Sequence, residues 1–131
     1  AAGADLVIPF MHWGWEEEGE PSERQKRFAR EMLDAGADMV VGAHPHVTQG
    51  AEIYKGKPIV YSLGNFLFNG FETEATRTGW TLEATLDRNG VASWRTRVVR
   101  LDADGTPHPD VDAESPCGKR GDAQAKVCHG R

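Results

Sequence analysis

The stretch DAGADMVVGAHPHVTQG, residues 34–50, contains the strongest signals for the fold of this chain. Its first glycine, Gly36, is of the kind that ends a helix in the left-handed conformation. The apolar run at residues 38–42 then predicts a short buried strand. That strand leads into His44 and His46, so this one stretch predicts the end of a helix, a strand, and two imidazoles at the strand's carboxyl end.

The residues before this stretch complete a β-α-β unit. Ser22 is the expected N-cap of the helix, because Gln25 follows three residues later and completes a capping box. Helical spacing predicts an inward face that consists of Phe28, Ala29, Met32 and Leu33. A continuous apolar run at residues 5–11 predicts an earlier strand that is covered on both faces. Strand, helix and strand over residues 5–42 indicate parallel pairing, since parallel strands need such a crossover.

Beyond the histidines the sequence predicts a third strand and a β-hairpin. The third strand covers residues 58–62, and the hairpin strands cover residues 80–87 and 91–101. Asn89-Gly90 lies between the hairpin strands and is a strong signal for a tight turn. Near its end the second hairpin strand loses its alternation of apolar residues, and we expect a bulge or the end of the strand there.

Residues 102–131 are rich in Pro, Gly, Asp and Lys, and we expect a polar, mobile tail after a folded domain of residues 1–101. Cys117 and Cys128 lie in this tail. They either form one disulfide in an exported protein or stay as free thiols in a cytosolic one, and the disulfide is favoured. A metal site built on these cysteines is not expected, because no Cys-x-x-Cys spacing occurs.

Composition and charge exclude some classes of function. The 131 residues contain 15 Lys plus Arg and 20 Asp plus Glu, and the net charge of −5 argues against binding to nucleic acid. No apolar run approaches the ~18 residues of a membrane span, and the first residues lack the pattern of a signal peptide. Because a strand-like run begins at Asp5, we expect a fragment of a longer protein, with any export signal or anchor upstream.

Three histidines follow predicted strands, and ligands of open α/β sheets bind beyond the carboxyl ends of strands. Neutral imidazole is the commonest metal ligand in proteins, and His44 and His46 point to the same side if the chain between them is extended. Pro45 favours that extended conformation at His44. With His12, these residues predict a metal site. The alternative is that His12 is a hydrogen-bonded core histidine and that the other two cap a loop.

Two further polar residues are candidates for catalytic roles. Glu16 is the member of the acidic run at residues 16–20 that lies nearest His12, and it is a candidate carboxylate ligand or general acid/base. The alternative for this run is a solvated loop. Asn65 follows the third strand and is a candidate for orienting a ligand, whereas an asparagine that only stabilises a turn is the alternative.

Read in order, four strings resemble the C-terminal half of the CapA family of bacterial capsule or poly-γ-glutamate synthesis proteins. The domain of that family is similar to the calcineurin-like metallophosphoesterases. The resemblance covers residues 5–70 closely and the hairpin more loosely. It rests on HWGWE (12–16), PSERQ (21–25), DAGADMVVGAHPHVTQG (34–50) and YKGKPIVYSLGNFLF (54–68).

The resemblance implies part of a four-layer α/β/β/α sandwich that binds divalent metal ions, Mn, Fe, Zn or Mg. His12 resembles the lone histidine ligand after a central strand. His44 and His46 resemble the late Gly-His-x-His ligands, one for each metal. The sequence departs from that pattern at Ala43, which separates Gly42 from the first of these histidines, and the early Asp-x-His, Gly-Asp and Gly-Asn-His segments are absent.

The function implied by the resemblance is capsule or poly-γ-glutamate synthesis or export, with a metal-dependent phosphoesterase-like hydrolase site. The substrate would be an anionic polymer or a phosphoester, the partners other capsule-synthesis proteins, and the location the cell envelope or the extracellular side. Because three histidines are too few for two metals, we expect residues 1–131 alone to be inactive. The alternatives are a non-catalytic envelope module that binds or assembles polymer, and an intracellular metallophosphoesterase unrelated to capsule.

Overall fold

A computed structural model describes residues 2–131 as two β-sheets and one helix. The elements in chain order are β1 (Phe10–His12), α1 (Glu23–Asp34), β2 (Val40–Ala43), β3 (Ala51–Tyr54), β4 (Lys57–Val60), β5 (Thr78–Asp87), β6 (Gly90–Leu101), β7 (Pro107–Pro109), β8 (Glu114–Lys119) and β9 (Lys126–His129). No helix in this described part of the chain is long and apolar enough to cross a membrane.

The first sheet has the strand order β1-β2-β4-β3. β1 and β4 are both parallel to β2, and β3 is antiparallel to β4. The predicted β-α-β unit is therefore confirmed, as is the third strand. Because β1, β2 and β4 are parallel, their carboxyl ends lie at the same edge of the sheet, which is where a site is expected.

Helix α1 has the predicted ends. The Ser22 side chain accepts a hydrogen bond from the Gln25 backbone, and the Gln25 side chain accepts one from the Ser22 backbone, so the capping box is present. Gly36 has a φ of +115° directly after the C-cap residue. The predicted inward face is right for Ala29 and Leu33, but Phe28 is 39% exposed. It lies about 100° around the helix from Ala29, at the border of the buried face.

The first strand differs from the prediction of a strand buried on both faces. β1 begins only at Phe10 and forms one edge of the sheet, and Val7 and Phe10 are 46% and 66% exposed. Met11 packs on the helix side and Ile8 on the opposite side. The neighbouring layers therefore cover only some residues of this apolar run, and the remainder faces solvent.

The second sheet has the strand order β5-β6-β8-β9, with β7 also paired to β6. The hairpin of β5 and β6 confirms the prediction. The register shift, however, lies between Thr85 and Leu86 near the end of β5, opposite the start of β6. Of the two alternatives predicted for the last residues of β6, the end of the strand is confirmed, because β6 ends at Leu101. Val98 and Val99 are both buried, so the apolar pattern there reflects cover on both faces of β6 and not a bulge.

Residues 107–129 differ from the expected mobile tail, because they contain β7, β8 and β9. β7 and β8 pair with β6, and β9 pairs with β8. Cys117 and Cys128 form a disulfide between β8 and β9, so the predicted pairing of the two cysteines is confirmed. Backbone pairing to the hairpin and this cross-link give order to a segment that has few large apolar residues.

The core lies on both sides of the first sheet. The helix side contains Ala29, Leu33, Ala37, Val40, Ile59 and Tyr61. The opposite side, against the second sheet, contains Met39, Val41, Val60 and Trp94. Burial of one large apolar side chain stabilises the fold by about 1.5–3 kcal/mol. The predicted α/β class is confirmed, and residues 2–131 form three layers, α/β/β. The fourth layer of an α/β/β/α sandwich stays a prediction.

Candidate metal centre

The parallel strands bring the predicted histidines together at one edge of the first sheet. His12 is the last residue of β1, and His44 directly follows β2. The ring centroids of these two lie 4.2 Å apart, and those of His44 and His46 lie 5.8 Å apart. Asn65 comes from the loop after β4 and contacts His46. The pairing of distant strands has thus placed the predicted residues in one cluster.

Three of these side chains form a compact group of possible metal ligands. The ligand atoms of Glu16, His44 and His46 all lie within 4.8 Å of one another. The Oε1 atom of Glu16 lies 3.9 Å from Nε2 of His46. The His12 ring lies beside that of His44, tilted by 38°, but His12 does not belong to this group. The predicted role of His12 as a ligand therefore stays a prediction.

The proton on His46 can be assigned from the hydrogen bonds of Asn65. The Asn65 amide nitrogen donates to the carbonyl oxygens of His46 and Thr76, at 3.2 and 2.9 Å. This fixes Oδ1 of Asn65 as the atom that faces Nδ1 of His46, at 2.9 Å. A carbonyl oxygen can only accept, so Nδ1 carries the proton and donates. Nε2 then keeps a free lone pair on the side of Glu16, as a metal ligand requires.

The backbone of the two histidines is not extended, and this corrects the prediction made from Pro45. His44 has a φ of +105° and His46 a φ of +64°. The loop turns sharply at the end of β2, and this turn, rather than the alternation of an extended chain, sets where the rings lie. Each such left-handed, non-glycine residue costs on the order of 1–3 kcal/mol, and such residues concentrate at functional sites.

Glu16 belongs to a loop whose side chains are solvated but whose backbone is held in place. We call residues 16–20 the acidic loop. The amide of Glu17 donates to the carbonyl oxygen of Pro45 at 2.7 Å, and Glu17 itself has a φ of +62°. The side chain of Glu16 is 66% exposed. The carboxylate therefore reaches the histidines because the backbone of its loop is attached to theirs.

Sequence reasoning missed the aromatic wall beside the centre. The rings of Phe68 and Phe71 lie 5.3 and 4.9 Å from that of His46, measured between centroids. Phe66, Leu67 and Phe68 are about half exposed or more, at 52%, 69% and 48%. The sequence does contain a signal for this wall. Three consecutive large apolar residues lie in a loop, next to the polar end of a strand. These rings exclude water from one side of the imidazole.

A cavity of about 420 Å³ adjoins the centre on the side of His12. It is lined by residues of β1, of the following loop and of the start of α1, including Trp13, Trp15, Arg24 and Phe28. The Trp13 indole donates to the Tyr61 carbonyl oxygen at 2.8 Å and is a packing residue, whereas Trp15 is 74% exposed.

The donor set fits a divalent metal ion. Two imidazole nitrogens and one carboxylate oxygen are suited to zinc and iron, and a carboxylate also suits manganese and magnesium. Ligands of a tetrahedral ion at ~2.0–2.1 Å stand about 3.4 Å apart, and the observed 3.9 Å between Glu16 and His46 is close to that. Three protein ligands also leave a coordination position open, as catalytic sites do.

Comparison with known proteins identifies the family. The model of the family "Bacterial capsule synthesis protein PGA_cap" matches residues 1–70. This chain belongs to the PGA_cap family. The matched residues include every ligand candidate, helix α1 and all four strands of the first sheet. The resemblance to capsule synthesis proteins, drawn above from four sequence strings, is confirmed.

Relatives of this PGA_cap member carry names that agree with the family. The PGA biosynthesis protein CapA of Bacillus subtilis is 42% identical over 106 residues, which are 81% of this chain and 27% of the relative. The capsule biosynthesis protein CapA of Bacillus anthracis is 42% identical over 110 residues, or 84% of this chain and 26% of the relative. A probable polyglutamine synthesis accessory protein of Mycobacterium tuberculosis is 43% identical over 63 residues, which are 47% of this chain and 16% of the relative. The chain thus spans about a quarter of the length of the two CapA proteins.

Proposed function

We propose that this chain is the part of a CapA-like protein that carries a divalent-metal site of a phosphoesterase-like hydrolase. The hydrolase would act in capsule or poly-γ-glutamate synthesis or export. The observation that carries the proposal is the group formed by Glu16, His44 and His46, whose ligand atoms lie within 4.8 Å of one another. The family match supports the process, and this group supports the chemistry.

Each residue of the centre has a distinct part in this proposal. His44 offers a ring nitrogen, and His46 offers Nε2, which has a free lone pair in the neutral ring because Nδ1 is the nitrogen that donates to Asn65. Glu16 offers a carboxylate oxygen that is exposed enough to bind a metal or to take a proton from the water that attacks the substrate. Asn65 is a positioning residue, since it acts through the imidazole it orients.

A bound divalent ion would supply Lewis-acid chemistry, polarising a phosphoryl or similar oxygen of the substrate. The chain's own residues bind and orient that ion, while Phe68 and Phe71 exclude water from one side of His46. An anionic polymer or a phosphoester is the proposed substrate class. Other capsule-synthesis proteins are the proposed partners.

The proposed location is the cell envelope or its extracellular side. The disulfide between Cys117 and Cys128 supports this location, because such bonds persist in oxidising compartments and are rare in reducing ones. The net charge of −5 is consistent with a protein that does not bind nucleic acid.

Isothermal titration of the chain with Zn²⁺ and Mn²⁺ tests the proposal. We expect saturable binding by the unsubstituted chain and its loss in the double variant His44→Ala, His46→Ala. The matched control is His108→Ala, His129→Ala, which removes two exposed histidines of the second sheet. Equal binding by both double variants would contradict the metal centre and favour a non-catalytic envelope module, in which the histidines only serve the fold.

A further inference from the structure

Two buried glutamines connect the start of helix α1 to the acidic loop. Gln25 and Gln49 are 2% and 3% exposed, respectively. Buried amides are costly unless they are hydrogen-bonded, and these two bond to each other: Nε2 of Gln25 donates to Oε1 of Gln49 at 2.7 Å. Neither residue lies among the metal-ligand candidates. Their burial therefore calls for a reason beyond the capping of one helix.

The hydrogen bonds run in one direction and end on the backbone of the acidic loop. The Ser22 amide donates to Oε1 of Gln25 at 2.9 Å, which leaves the Gln25 amide nitrogen to donate to Gln49. Nε2 of Gln49 in turn donates to the carbonyl oxygens of Glu18 and Glu20, at 2.8 and 3.3 Å. Both side-chain amide nitrogens and both side-chain oxygens of Gln25 and Gln49 take part in these bonds, so the orientation of both amides is fixed.

The packing around Gln25 reinforces this arrangement. A Cβ on Gly14 would lie 2.8 Å from Oε1 of Gln25, and Gly14 has a φ of +79°. Only a glycine fits there without strain. The chain that leads from β1 into the acidic loop thus passes directly against the Gln25 amide, and the loop is held at both ends.

We propose that Gln25 and Gln49 are positioning residues of the metal centre, which hold the acidic loop so that Glu16 reaches His46. This inference rests on the proposed function. The Glu16 side chain is exposed and cannot fix its own place, so the place of its carboxylate depends on the backbone of the loop. The two backbone attachments of that loop are the bonds from Gln49 and the bond from Glu17 to Pro45.

A double-variant cycle on Zn²⁺ affinity tests the proposal. Gln49→Met keeps the length of the side chain but removes both donations to the loop. We expect it to weaken Zn²⁺ binding about 10–100-fold, since supporting residues of metal sites have effects of this size. We expect a loss of affinity of similar size from Glu16→Gln. In the Glu16→Gln background, Gln49→Met should have no further effect. A merely structural role would weaken binding by the same factor in both backgrounds, and that result would overturn the proposal.

Gln124→Met is the matched control, because Gln124 is an exposed glutamine in the turn before β9. Circular dichroism establishes that each variant is folded before titration. Gln49→Glu is the second variant if Gln49→Met does not fold. Its carboxylate can still accept from Gln25 but cannot donate to Glu18, so the expected loss of Zn²⁺ affinity is the same.

Amide hydrogen exchange gives a readout that does not depend on metal. We expect the Glu17 amide, which donates to Pro45, to exchange at least 10-fold faster in Gln49→Met than in the unsubstituted chain and in Gln124→Met. Unchanged exchange would overturn the positioning role. Absence of Zn²⁺ binding by the unsubstituted chain would overturn the proposed function instead, and the exchange measurement would still decide whether the glutamines hold the loop.

Discussion

His46 donates the proton on Nδ1 to Oδ1 of Asn65, across 2.9 Å. The two partners are 19 positions apart in the sequence, and the segment between them includes β3, the turn after it and β4. The bond therefore joins the loop that follows β2 to the loop that follows β4. It fixes both the tautomer and the ring orientation of a residue whose other nitrogen points to Glu16. A ring held in this way needs little further ordering to bind a metal ion.

Asn65→Ala should weaken Zn²⁺ or Mn²⁺ binding about 10–100-fold while the fold is kept, because the imidazole loses its acceptor and turns more freely. Isothermal titration measures the effect. Asn69→Ala, four residues further along the same loop and exposed, is the control and should bind as the unsubstituted chain does. Equal affinities for the two variants would show that Asn65 has no part in the centre.

Local signals predicted those parts of the fold that depend on neighbouring residues. The capping box of Ser22 and Gln25 joins residues three apart, and the turn at Asn89-Gly90 joins adjacent strands. The apolar runs before and after α1 predict the β-α-β unit, since parallel strands require a crossover between them. Ligand sites of open α/β sheets lie beyond the carboxyl ends of parallel strands, and this rule correctly predicts that His12 and His44 share one edge of the sheet.

The other parts of the fold and of the site depend on contacts between residues that are distant in the sequence, which a local sequence pattern does not show. The partners of Gln49 in the acidic loop are 29 and 31 residues away, so nothing near Gln49 indicates that it is buried. The left-handed backbone of His44 opposes the local preference set by Pro45 and persists because the surrounding loops enforce it. Likewise, β8 is ordered by pairing with β6 and by the disulfide, not by its own apolar residues.

Gly42→Ala should lower the free energy of unfolding by about 1–3 kcal/mol, the usual effect of overpacking a filled site. A Cβ at Gly42 would overlap the Tyr61 carbonyl oxygen and the Trp13 indole nitrogen, which are themselves hydrogen-bonded to each other. Urea denaturation followed by tryptophan fluorescence measures the change. Gly19→Ala is the control, because a Cβ at Gly19 meets no atom within 4 Å. A difference between the two variants of less than about 0.5 kcal/mol would contradict the packing described here.

Reduction of the disulfide between Cys117 and Cys128 should lower the free energy of unfolding by about 3 kcal/mol. The two cysteines are 11 residues apart, and a cross-link of that span restricts the unfolded chain by about this amount. Urea denaturation with and without dithiothreitol gives the measurement. The Cys117→Ser, Cys128→Ser variant should match the reduced chain and should not respond to the reductant. If dithiothreitol lowers the free energy of unfolding of the unsubstituted chain and of the double serine variant equally, the effect does not come from this disulfide.

Asp34→Asn should destabilise the chain at pH 7 but not at strongly acidic pH. The hydrogen bond from Lys55, with a second from Tyr54, holds the pKa of the Asp34 carboxyl below its ordinary value of 3.8. Because the folded state binds the proton less readily than the unfolded state, the stabilisation is complete above the ordinary pKa. It is lost as the pH falls through the lowered one. The group is exposed, so the effect is small.

Urea midpoints of the unsubstituted chain and Asp34→Asn, compared from pH 7 down to pH 2, give the test for Asp34. The gap between the two midpoints should close as the pH falls. In a Lys55→Gln background the gap at pH 7 should already be narrower, because the main partner is gone. A gap that stays constant with pH would mean that the charge of Asp34 does not contribute.

The chain alone should show no phosphatase turnover with Mn²⁺, even if it binds the ion. The group of Glu16, His44 and His46 can serve one ion, and His12 lies outside it, whereas two-metal phosphatases hold two ions about 3.5–4 Å apart. The chain spans only 27% of the length of the Bacillus subtilis relative. Hydrolysis of p-nitrophenyl phosphate measures the phosphatase turnover, and the His44→Ala, His46→Ala variant is the control. Turnover by the chain that disappears in the control would contradict the prediction and would mean that one ion at this centre is enough for catalysis.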